Sequence, residues 1–79
     1  MNFKKQENMD FGAAIRWMKY GATVSRPGWN GKDMWSAIQF PDDDSKMCLP
    51  YTYMKTADDY LVPWLASQAD MYEEDWMVV

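Results

Sequence analysis

In YTYMKTADDYLV, residues 51–62, two runs of strand-forming residues flank the turn Ala57-Asp58-Asp59. Tyr51 to Thr56 alternates so that Tyr51, Tyr53 and Lys55 share one face of a pleated strand. Tyr60-Leu61-Val62 returns. A connection this short can only join antiparallel neighbours, so 51–62 is predicted to be a hairpin.

Upstream of the hairpin, Met34 to Phe40 reads as another strand, ended by Pro41. Met34, Ile38 and Phe40 fall on one side, Trp35 and Ala37 on the other, so both faces call for cover. Ala22 to Arg26 alternates around Thr23 and Val24 and reads as a strand broken by Pro27 and Gly28. Trp29-Asn30-Gly31-Lys32 is a turn, with Asn-Gly a strong local signal. Before it, Asp10 is an N-cap, Phe11, Ala14, Ile15 and Met18 follow at helical spacing, and Gly21 is a stop. That predicts a helix over 11–20, with Trp17 and Tyr20 off its apolar stripe. Downstream, Ser67-x-x-Asp70 is a capping box opening a short helix near 67–73, and Trp76 to Val79 reads as a last strand. The fold class is α+β: a mostly antiparallel sheet of four or five strands, one longer N-terminal helix and one short C-terminal helix.

The chain is 79 residues long, which predicts a single domain over 1–79 with residues 1–8 as a flexible polar end. It has no histidine and one cysteine, Cys48. A Ser-His-Asp triad, a Cys-His pair, a His-based zinc site and an internal disulfide are all excluded. No apolar run approaches the roughly 18–20 residues that span a bilayer, and the N-terminus lacks the apolar segment of a signal peptide. A cytoplasmic location without membrane contact is expected. Twelve acidic residues against eight basic ones give a charge of −4, which argues against DNA or RNA as a partner. A domain this small buries only about 60–65% of its unfolded surface, so large apolar side chains and oligomerisation are the remaining sources of stability.

The residues offer little for catalysis. The neighbouring carboxylates Asp58-Asp59 and Glu73-Glu74-Asp75 diverge on the backbone instead of converging on a bond. Ser67 has no base, and the glycines match no phosphate loop. Asp42-Asp43-Asp44-Ser45-Lys46 is a solvated loop that lacks the spacing of a calcium site. Cys48 reads as a buried or incidental thiol. Neither metal nor cofactor is expected.

Binding chemistry is denser. Within RPGWNGK, residues 26–32, Arg26 offers a planar fork for phosphate, Lys32 a point charge, Trp29 a face for a base, and Asn30 a donor and acceptor for a base edge or ribose. The same stretch also reads as a tight turn whose Trp29 packs into the core. Pro63-Trp64 followed by Ser67, Gln68 and Asp70 is a second cluster, with the alternative that Trp64 is core beside a capped helix. Asp75-Trp76 repeats the pairing of a polar group with an indole.

RPGWNGKDM at 26–34, PYTYMKTADD at 50–59 and PWLASQADMYEEDW at 63–76 occur together, in the order found in the Thoeris anti-defence protein 2 family, which this chain resembles from Phe11 to about Val79. The resemblance implies a phage or prophage sponge that binds a cyclic ADP-ribose isomer without cleaving it, so that the Thoeris effector is never activated. It implies a homotetramer with nucleotide pockets between protomers, and in some relatives a separate site for cyclic di- or trinucleotides. Under it, Trp29 or Trp64 stacks on adenine, Arg26, Lys32 or Lys55 meets the pyrophosphate, and Asn30, Gln68 and Asp70 meet the riboses. Two other readings stay open: a protein-interaction module that docks on a host protein through Trp17, Tyr20 and Trp35, and a hydrolase of the nucleotide signal.

Overall fold

The computed structural model describes residues 6–29 and 33–79. Helix α1 spans Phe11–Lys19. Its cap is Asp10, whose carboxylate accepts from the Ala13 amide at 2.8 Å. It stops where Gly21 takes a φ of 96°, in the left-handed region that costs a glycine nothing. Strands β1 (Val24–Ser25), β2 (Trp35–Gln39), β3 (Tyr51–Lys55) and β4 (Leu61–Pro63) follow, then the short helix α2 (Gln68–Tyr72) and strand β5 (Met77–Val78).

The five strands form one antiparallel sheet in the order β4-β3-β2-β1-β5. The 51–62 hairpin is its outer half. Tyr53 lies opposite Pro63, and Met54 opposite Val62. Its turn closes with the Thr56 amide donating to the Tyr60 carbonyl at 2.8 Å, and Asp59 at the turn has a φ of 68°. Pro63 extends the predicted return strand by a residue, which an edge strand allows because its outer side needs no donor. The predicted 22–26 strand shortens to Val24–Ser25. Thr23 continues the pairing of β1 with β5, since its carbonyl accepts from the Val79 amide at 2.9 Å and its hydroxyl donates to the Val79 carbonyl.

Cross-strand register fixes the two faces. Val24, Ser36, Met54 and Val78 align across β1, β2, β3 and β5, so they share one face. The core lies on this face, where Met18, Val24, Ser36 and Trp76 are completely buried. Ala14 and Met9 complete it, with Phe11, Ile15, Trp29, Ile38, Trp64 and Val78 packed around. The Ser36 hydroxyl is satisfied by donating to the Tyr53 carbonyl at 2.9 Å. On the opposite face Trp35 meets Tyr53 edge-on at 5.9 Å, and no helix among the described residues covers them.

Residues 6–8 belong to the stretch 1–8 read from sequence as a flexible end; together with Met9 they line the outside of β5. Met9 and Trp76 exchange both backbone hydrogen bonds, and the Gln6 carbonyl accepts from the Val78 amide at 2.9 Å. Residues 1–5 lie outside the described residues. No described helix is long and apolar enough to cross a membrane.

Candidate functional site

Both sequence clusters meet at one place. Trp29, Trp64 and Trp76 pack edge to face, with ring centroids 5.3 to 6.0 Å apart. Phe11 of α1 closes the group, 5.4 Å from Trp76 and 6.4 Å from Trp64. Such pairs contribute about 0.5–1.5 kcal/mol each beyond the area they bury.

Beside the rings lies Asp70, a buried carboxylate in α2. Its Oδ1 accepts from Arg26 Nη1 at 2.8 Å and from the Trp29 indole Nε1 at 3.0 Å. Its Oδ2 accepts from the Ser67 amide at 3.0 Å, and Ser67 Oγ accepts from the Asp70 amide in return. The capping box is therefore complete. Arg26 also donates from Nε to Asp75 at 2.7 Å, so one guanidinium joins two carboxylates. Burial pushes the Asp70 carboxyl up, but donors from Trp29, Ser67 and Arg26 outweigh it and hold the group below the usual aspartate range. The Arg26 guanidinium is raised, chiefly by its hydrogen bond to Asp75, against an opposing effect of burial.

The remaining candidates sit as follows. Gln68 is exposed at the start of α2. Two amide donors at that helix start, on Ser67 and Asp70, are already occupied by the capping box. Lys55 projects from the sheet face opposite the tryptophan cluster, because it pairs with Trp35. Its ammonium meets Asp59 at 2.8 Å and the Asp33 carbonyl at 3.0 Å. It borders a shallow cavity of about 580 Å³ with Trp35, Thr23 and Ser25. Asn30 and Lys32 lie outside the described residues. The turn before them closes with the Trp29 amide donating to the Arg26 carbonyl at 3.2 Å, leaving Pro27 and Gly28 exposed at its tip.

Sequence reasoning missed two features. One is the role of Asp75 as the second partner of Arg26. The other is an open groove of about 930 Å³ along Ile38, Met47, Leu49, Tyr51, Trp64 and Leu65. The apolar run Met47-Cys48-Leu49 directly after the acidic loop is the signal that could have marked it. Cys48 lies on its rim and is exposed, not buried. Among the described residues no group of three histidine, cysteine or acidic side chains gathers as metal ligands.

A protein of Bacillus phage SP01 named Thoeris anti-defense 2 is 32% identical over 84 residues, an alignment that covers 90% of this chain and 94% of the relative. Residues 9–79, which contain the whole tryptophan and Asp70 cluster, match the Thoeris anti-defense 2-like domain. The chain therefore belongs to the Thoeris anti-defense 2-like family.

Proposed function

We propose that this protein counters Thoeris defence by binding a cyclic ADP-ribose isomer and holding it intact. The observation that carries the reading is the family match across residues 9–79. The chemistry of the chain supports holding over cleaving. Without histidine, no side chain has an ordinary pKa near neutrality for proton transfer, and the buried Asp70 is kept ionised by its donors.

In the proposed pocket, Trp29 or Trp64 offers the adenine platform. Asn30, Lys32 and Gln68 supply polar contacts. Arg26 and Asp70 satisfy each other, and Asp70 also accepts from the Trp29 indole. Lys55 faces away from Trp64 within one protomer, so a pocket that uses both needs a second chain. That fits pockets between copies, as in the homotetramer the family resemblance implies, with cyclic di- or trinucleotides at a separate site. A cyclic ligand is already constrained and loses little conformational entropy on capture.

A second reading, docking on a host protein, draws on Trp17 and Tyr20. They are 37% and 86% exposed, three residues apart in the last turn and C-cap of α1.

One experiment separates the readings. The protein is incubated with a panel of cyclic ADP-ribose isomers, freed of unbound ligand and heat-denatured, and the supernatant is assayed. Intact nucleotide in stoichiometric amount is the expected result. A cleaved product would identify a hydrolase. An empty supernatant together with a captured host protein would favour docking.

A further inference from the structure

The first and last residues of the Arg26–Trp29 turn end on the same atom. Arg26 Nη1 and Trp29 Nε1 both donate to Oδ1 of Asp70, at 2.8 and 3.0 Å. The other oxygen of that carboxylate is fixed by the Ser67 amide at the start of α2. We propose that Asp70 is a positioning residue: it clamps the Arg26–Trp29 turn and sets the plane of the Trp29 indole, so that ligand capture at this turn depends on Asp70 without Asp70 touching the ligand. The inference rests on the sequestration reading for what the turn captures, and it revises the role of Asp70 from ribose partner to support.

Three features argue for support over contact. Asp70 is 8% exposed, while the turn tip above it is open. Both carboxylate oxygens are already engaged, by three donors in all, leaving little capacity for a ribose hydroxyl. A bare carboxylate would also repel the pyrophosphate, whereas one neutralised by Arg26 does not. Asp75 provides the control. It shares Arg26 with Asp70 but receives no bond from Trp29.

The test compares Asp70→Asn with Asp75→Asn in ¹⁵N-labelled full-length protein, following the indole N–H resonances and the affinity for a panel of cyclic ADP-ribose isomers. In the unaltered protein the indole protons of Trp29 and Trp76, which both have acceptors, should exchange with deuterium more slowly than that of the half-exposed Trp17. Asp70→Asn should shift the Trp29 indole signal, speed its exchange and weaken ligand affinity about tenfold or more, as expected for loss of a charged acceptor. Asp75→Asn should lower stability while leaving the Trp29 signal in place and changing affinity by less than about threefold. Equal affinity losses in the two variants, or an unmoved Trp29 signal in Asp70→Asn, would overturn the proposal. Should Asp70→Asn fail to fold, fast exchange of the Trp29 indole proton in the unaltered protein overturns it equally. If the unaltered protein binds no isomer, the sequestration reading fails and the capture role of Asp70 with it. The indole signals then still show whether Asp70 holds the Trp29 ring.

Discussion

The indole of Trp76, completely buried, donates from Nε1 to the backbone carbonyl of Asp70 at 2.8 Å. The residue that fills the centre of the core thus also holds the helical turn that carries the Asp70 carboxylate. Packing and site geometry are coupled through this bond. Trp76→Phe keeps a ring but strands the carbonyl, and should cost about 1–3 kcal/mol. Trp76→Ala adds a large cavity, and a loss of about 3–5 kcal/mol should leave so small a domain largely unfolded. Urea titration followed by far-UV circular dichroism measures both.

Arg26→Lys should be far from neutral despite keeping the charge. A lysine can reach one carboxylate, but it lacks the fork that meets Asp70 and Asp75 together. The expected loss is about 1–3 kcal/mol, rising to about 3–5 for Arg26→Met, which leaves Asp70 buried without its cation. A double-mutant cycle with Asp75→Asn should show strong non-additivity. Additive losses would mean that the Arg26–Asp75 contact carries no coupling energy.

Acid should destabilise the fold through Asp70. Its folded pKa lies below the unfolded value, so its contribution is complete above the unfolded pKa of about 3.9 and is lost as pH falls through the lower folded value. Urea midpoints measured from pH 6 down to about pH 2 should decline below about pH 4. Asp70→Asn should be less stable at pH 6 and show a flatter acid limb. An identical slope in both proteins would remove Asp70 as a source of the acid response.

Leu65→Glu separates assembly from folding. Leu65 is 92% exposed beside the Trp64 groove, so within one chain the change should alter stability by no more than about 0.5 kcal/mol. If copies pack through this groove, light scattering should report a smaller particle for the variant at equal concentration. An unchanged mass would exclude this groove as a contact between copies.

Local chemistry was readable along the chain because its determinants lie a few residues apart. Asp10 and Gly21 bracket the first helix, Ser67 and Asp70 cap the second, and the Tyr51–Val62 alternation sets the hairpin. The site was less readable because its key pairings span the chain. Arg26 looks like a free phosphate fork until its partners are known, and those lie 44 and 49 residues away. Asp70 shows its capping role in the Ser67 spacing, but no local pattern shows that the same oxygen receives Arg26 and Trp29. The strand predicted over 22–26 shortens to Val24–Ser25, whose partners Ser36, Met77 and Val78 lie far along the chain.

The two margins of the sheet are finished differently. Beyond β5, the segment from Gln6 to Met9 occupies the open hydrogen-bonding groups of the last strand. At the other margin β4 is three residues long and contains Pro63, so it offers a newcomer a short and interrupted template. Copies with bare strand margins are prone to pair edge to edge. Here both margins are blunted, which disfavours self-templated growth into fibres.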